Sequence, residues 1–212
     1  MKKELDEYLC KTYPRMLVNR NKSMQETCMC WGFECGDGWF TLLDQLMGNI
    51  QNHIDWKIKQ RAWAMEYNEM ATQAKAGNFE LFEKSMATVT NPEYKEKRLK
   101  EIVEGEFRVL PEVVWQVTLD QVKEKFGTLR FYYQGGDEYI AGLVSMAESM
   151  SGVICEGCGN PATTESPKNE DGTIGGWIRT ECKPCADKRA EDRKKYDEEW
   201  EMKKLLKEGN EQ

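Results

Sequence analysis

Apolar positions along the 212-residue chain change their spacing several times, and each change marks a change of element. Leu5, Tyr8, Leu9 and Tyr13 recur near the helical period, which predicts a short helix over 2–13, stopped by Pro14. Between 24 and 40 the period is lost. Met24, Met29, Trp31, Phe33, Trp39 and Phe40 crowd among Cys28, Cys30 and Cys35, with Gly32, Gly36 and Gly38 between them. Glycine at that density predicts turns and close backbone approach. Leu42, Leu43, Leu46, Ile50, Ile54 and Ile58 then fall three and four apart, on one face of a long helix. The pattern continues through Trp63, Met65 and Met70 and breaks at Gly77-Asn78. Phe79 to Val89 predicts another short helix, and Asn91-Pro92 opens one that runs to about Val103 and ends at Gly105.

A period of two follows. Val113, Trp115, Val117 and Leu119 alternate, as do Leu129, Phe131 and Tyr133, so two strands are expected with a hairpin joint at Lys125-Phe126-Gly127. After Gly135-Gly136, Asp137 caps a helix whose apolar face is Ile140, Leu143, Val144, Ala147 and Met150. From Ala186 the chain is almost wholly charged and reads as a helix weakly anchored by Tyr196, Trp200 and Met202, fraying near Gly209. These elements make an α+β protein. A mostly helical region spans 1–110, a hairpin-plus-helix unit 111–151, a small cysteine module 152–187 and a charged tail 188–212.

Apolar residues are 40% of the chain and charged residues 32%, and no run approaches the ~18 apolar residues of a membrane span. The first residues turn acidic at once, with no apolar stretch of a secretory signal, so the expected location is the cytoplasm. The net charge of −7 argues against a duplex-DNA binder, which needs basic surface to neutralise phosphates. Cytosolic thiols stay reduced, so the eight cysteines are not read as a disulfide frame. Cys155-Glu156-Gly157-Cys158 and Cys182-Lys183-Pro184-Cys185 form two C-x-x-C pairs. Each pair offers two thiolates to one ion from a tight turn, and together they predict a closed, structural four-cysteine zinc site of zinc-ribbon type. Gly172, Gly175 and Gly176 mark the intervening loop as turn-rich, with Trp177 and Ile178 returning as a strand. Cys28, Cys30 and Cys35, with Cys10 or His53, are either a second set of ligands or buried small hydrophobes.

Three stretches carry a resemblance: Trp31 to Phe40 (WGFECGDGWF), Val122 to Tyr133 (VKEKFGTLRFYY), and Cys155-Glu156-Gly157-Cys158-Gly159 with Gly176-Trp177 and Cys182 to Cys185. Together they resemble a widespread set of phage and prophage proteins. The resemblance covers the two ends of the chain, and 61–110 reads as an insertion between them. It implies a phage origin and a bacterial host cytosol, and it brings no activity with it.

Two places suit a ligand. On the second strand Arg130 and Tyr132 share the face opposite Leu129 and Phe131, beside Lys123 and Lys125. Arg130 offers a fork for phosphate, Tyr132 a stacking surface, and the Gly135-Gly136 turn backbone donors at a helix start. On the glycine-rich loop, Asp37 and Trp39 suit a ribose and a ring, although Asp37 also reads as the N-cap of the long helix. One histidine, no HExxH and no phosphate-loop pattern leave little for catalysis. The expectation is a non-catalytic binding protein for a small anionic, nucleotide-derived ligand, such as a cyclic nucleotide or ADP-ribose signal of host immunity. The alternative is a zinc-ribbon adaptor that binds a host protein or, less readily, nucleic acid through Trp177, Arg179, Lys183 and the terminal helix. Met47, Met65 and Met70 on the long helix offer a face for a homo-oligomer or pack within the chain.

Overall fold

Helices occupy the segments of three- and four-residue spacing: α1 (Lys3–Thr12), α2 (Phe40–Lys75), α3 (Glu80–Ser85), α4 (Pro92–Glu104), α5 (Glu138–Ser151) and α6 (Lys183–Gly209). Strands are β1 (Phe33–Glu34), β2 (Trp115–Lys125), β3 (Thr128–Gly136), β4 (Thr163–Glu165) and β5 (Arg179–Glu181). This computed structural model describes residues 1–166, 172–173 and 175–209. The architecture is α+β, as the periods imply. Part of the turn-rich loop expected between the cysteine pairs, 167–171 and 174, lies outside the described residues.

The described chain divides into two compact units, Met1–Gln51 with Gln116–Gln212, and Asn52–Trp115. α2 enters both, and the stretch 61–110 falls inside the second. In the first unit, β2 and β3 are joined by two residues, Phe126 and Gly127, with φ of +54° and +76°. Positive φ at both positions gives the tight turn whose twist matches an antiparallel pair. β1 lies on the other side of β2, parallel to it, with Phe33 opposite Val122.

The burial of β2 departs from simple alternation in its middle and at its start. Val117 and Leu119 are buried, but the next buried residue is Val122, so the alternation slips by one at Asp120-Gln121. Val113 lies outside the strand, and Trp115 is exposed. On β3, Leu129 and Phe131 face the core. The Leu129 amide donates to Ser151 Oγ at 2.8 Å and the Phe131 amide to Glu148 Oε1 at 2.9 Å. Side chains of α5 thus satisfy donors on a strand edge that would otherwise stay open to pairing. Asp137 caps α5 as expected, accepting from the Ile140 amide at 3.0 Å.

In the second unit, Asn91 caps α4 by accepting from the Tyr94 amide, and Ala71, Ala74, Phe82 and Ile102 form a small buried cluster. On α2, Leu43, Leu46, Ile50 and Ile54 are buried, whereas Ile58 is exposed, so the apolar face ends a turn earlier than its spacing implies. Met47 is fully buried, Met70 packs on the small cluster, and Met65 is exposed. Of the three methionines read as a face for a second copy, only Met65 is open to one.

The turn residue Phe126 is the one non-glycine with positive φ among the described residues, and its side chain is exposed. Asparagine tolerates that backbone far better than phenylalanine. Phe126→Asn is therefore expected to raise stability by about 1 kcal/mol, read as a higher urea midpoint at unchanged slope.

Candidate metal centre

The two cysteine pairs meet through backbone geometry set on either side of them. In the first, the Gly159 amide donates to Cys155 O at 2.8 Å and the Cys155 amide to Asn160 O at 2.7 Å. Gly159 sits at φ +80°, which lets the chain turn back under the sulfurs. The second pair opens α6. The amides of Cys185 and Ala186 both donate to Cys182 O at 3.0 Å, so Cys182 sits where a helix N-terminus favours negative charge. The Glu156 amide donates to Thr180 O at 2.9 Å and ties the first pair to β5.

The four sulfurs of Cys155, Cys158, Cys182 and Cys185 all lie within 4.8 Å of one another, with Cys158 and Cys182 at 3.5 Å. Tetrahedral thiolates about 2.3 Å from one ion stand roughly 3.8 Å apart. The quartet fits a single metal ion. Charge sets a condition on that fit. Burial works against ionising Cys155, but the backbone amides of Cys182, Cys158 and Gly157 outweigh it and draw the thiol down to about 7. Hydrogen bonds to the Cys158 and Cys182 sulfurs push the Cys185 thiol up. Without a cation the group shares its protons; four thiolates require one among them. No open position remains in a closed set of four cysteines, so an ion held there folds the chain rather than reacting with a substrate.

The glycine-rich loop packs directly on this site. The Gly38 amide donates to Glu156 O, and the Gly36 amide to Glu156 Oε1, each at 2.8 Å. A Cβ on Gly38 would overlap Cys155 O and the Gly159 amide, and one on Gly36 would overlap Glu156 O. Trp39, expected to stack on a ring, is fully buried and donates its indole N–H to Ile154 O at 2.8 Å. Asp37 does not cap α2. It stands in a 3-10 turn (Asp37–Trp39) and accepts the Lys2 amide at 2.7 Å, with Lys2 Nζ at 3.1 Å. Burial opposes its charge, but the Lys2 amide and ammonium hold its carboxyl below the usual range.

The hairpin serves the same module. Thr180, fully buried, donates to Gly127 O and shares a hydrogen bond with Thr164. A Cβ on Gly127 would lie 2.9 Å from the Thr164 methyl. Glu124 accepts the Gly127 amide at 2.6 Å and the Trp177 indole at 3.0 Å. Trp177 therefore precedes the returning strand, which begins at Arg179.

As a ligand site the hairpin is weak. Arg130 folds back on its own strand, donating to Thr128 Oγ1 and Leu129 O at 2.7 Å each. Lys123 lies over the Tyr132 ring at 5.5 Å, and Lys125 over Phe126 at 5.3 Å. The hollow beside Tyr132 is lined by Glu26 and Asp120 and by no basic side chain. Gly135 and Gly136 have positive φ, but the Asp137 carboxylate occupies the helix start they lead to. Cys28, Cys30 and Cys35 join no ligand cluster among the described residues. Cys30 donates to Thr27 O, and burial pushes the Cys35 thiol up to about 12, as for a small hydrophobe.

Sequence reasoning missed a cavity of about 620 Å³ between the start of α2, α5 and the first cysteine pair. Its apolar lining includes Leu42, Leu46, Leu143, Ala147 and Ile154. Thr41, Gln45, Asn49, Asn160 and Asp37 are the polar side chains on it, and Cys158 and Gly159 line it too. The signal was present as a polar row at four-residue spacing beside an apolar one, which a surface helix also shows.

The fold and site define a class: an α+β protein whose cysteine quartet is arranged to hold a metal ion. No family model matches the chain, and neither does any curated protein or solved structure.

Purified protein is expected to carry one metal ion per chain by elemental analysis. Cys182→Ser should lose it, and a strong chelator should unfold the first unit. Gly38→Ala should cost about 3 kcal/mol or more, because backbone rather than a movable side chain blocks the new Cβ. It should also release metal at lower chelator concentrations than the parent.

Proposed function

We propose that this chain is a zinc-stabilised, non-catalytic binding protein that takes a small ring-bearing ligand in the cavity between α2 and α5. Zinc suits four thiolates in a closed tetrahedron, and its role is structural. One observation carries the ligand reading: a cavity of about 620 Å³ whose lining combines apolar side chains with amides and a hydroxyl. That size and balance are typical of small-molecule sites. A purine or pyrimidine matches it, with its faces on Leu42, Leu46 and Leu143 and its edges toward Gln45, Asn49 and Asn160. The one charged side chain among the described residues of the cavity's lining, Asp37, is neutralised by the Lys2 ammonium at 3.1 Å. A nucleotide-derived compound, held by its base, remains the class of ligand, moved from the hairpin to this cavity. Given the resemblance to phage proteins, its biological form is capture of a host immune nucleotide in the bacterial cytosol. No helix among the described residues is long and apolar enough to cross a membrane.

The adaptor reading rests on a different feature. α6 is exposed from Asp187 to Lys204, including Tyr196 and Trp200, and is steadied by its own ion pairs, among them Arg193–Asp197 and Lys195–Glu191. Such a helix stands without packing and offers itself to a partner.

Protein purified from bacteria making nucleotide signals should release one on denaturation, detected intact by mass spectrometry, and that compound should raise the melting temperature. Leu42→Trp, which fills the cavity, should weaken binding at least roughly tenfold with little change in stability. Arg130→Ala should leave binding unchanged. If Arg130→Ala abolishes capture while Leu42→Trp spares it, the ligand sits on the hairpin. If no nucleotide is released and none shifts the melting point, the capture reading fails. Oligonucleotide binding with a steep salt slope would then favour the adaptor.

A further inference from the structure

The second unit holds an extended strap to α2 by polar bonds and leaves its apolar side chains in water. At the C-terminal end of α4, Lys75 Nζ donates to Val103 O and Gly105 O at 2.7 Å each. Asn68 pairs with both backbone groups of Arg108, at 2.7 and 2.8 Å, and the Arg108 guanidinium lies 4.0 Å from the Tyr67 ring centre. Arg61 donates to Pro111 O at 2.6 Å. These contacts fix the strap along about 20 Å of α2, from Arg61 to Lys75. None of them buries Val109, which is 91% exposed, and Phe107, Leu110 and Val113 are also open. Beside the strap, Trp56 and Trp63 pack edge to face at 5.5 Å and are each about half exposed.

The two features meet. Trp56, Trp63 and Ala64 on α2, with Arg108, Val109 and Pro111 on the strap, line a shallow hollow of about 410 Å³. A prominent apolar knob therefore stands at the rim of an aromatic notch on the same face. A two-fold axis through such a face puts each knob into the other copy's notch, because an isologous contact needs a patch complementary to itself. The open parts of Trp56, Trp63 and Val109 amount to roughly 400 Å², about half of the roughly 800 Å² per partner that stable interfaces bury, and the exposed Arg108 with Gln60 and Pro111 around the same hollow adds a polar rim.

We propose that this face of the second unit is a dimer interface between two copies of the chain, with Val109 of each seated against the Trp56–Trp63 pair of the other. The assignment is independent of the ligand cavity, which belongs to the first unit. The metal-loaded 212-residue chain should sediment at close to twice 24.6 kDa. Val109→Asp should raise the dimer dissociation constant at least roughly tenfold, with circular dichroism and metal content unchanged. Trp56→Gln gives the same reading should Val109→Asp fail to fold. A monomer at every concentration up to the solubility limit overturns the proposal, even if the face then binds a different protein. So does a dimer that neither substitution weakens.

Discussion

The first unit depends on an approach of backbone to backbone that leaves no space for a side chain. Gly36 and Gly38 lie directly against the carbonyls and amides of Cys155 to Gly159. Two amide hydrogen bonds to Glu156 lock that approach, and the buried Trp39 indole adds a third bond at Ile154. Glycine is required here for the volume its hydrogen occupies, since neither Gly36 nor Gly38 has positive φ. Burial pushes the Glu156 carboxyl up, but the Gly36 amide opposes that shift, so the same contact that seats the knuckle also steadies the acid within it.

Segments distant in sequence converge on this seat. The glycine-rich loop holds the first cysteine pair from one side. Gly127, Glu124 and Ser151 hold β4, β5 and β3 from the other through Thr164, Thr180, Trp177 and Leu129. Closing loops of more than a hundred residues costs conformational entropy that a few hydrogen bonds of about 1 kcal/mol do not offset alone. An ion bound by the quartet supplies free energy on a larger scale, and where the site forms only on folding, that energy stabilises the fold. The stretches with the most distinctive sequence are thereby explained as the seats of one metal module, with no ligand invoked.

Much of this was legible because local physics repeats locally. Asn91 and Asp137 cap the helices they precede, the paired C-x-x-C spacing converges, and Leu129 and Phe131 turn to the core. The errors share one cause: sequence reports which face a residue occupies but not what lies opposite. Asp37 has the right chemistry for a cap, yet the group that reaches it is the Lys2 amide, thirty-five residues away. Trp39 has the right chemistry for stacking, but the space over its ring is filled by protein. Arg130 has the right fork, and its own strand supplies the acceptors. The cavity was invisible for the converse reason. Its walls come from three elements, and none of them looks unusual alone.

The proposed ligand site and the metal centre share a wall, and this constrains how they act together. Cys158, Gly159 and Asn160 line the cavity. Asn160 O also accepts the Cys155 amide, and the Gly159 amide closes the turn on Cys155 O. The chain cannot rearrange around the sulfurs without moving that wall. A ligand that binds only the ordered wall must then favour the metal-bound state, and by linkage the metal must favour the ligand by the same factor. An ion with no open coordination position, and so no chemistry of its own, can in this way still set the affinity of the pocket beside it.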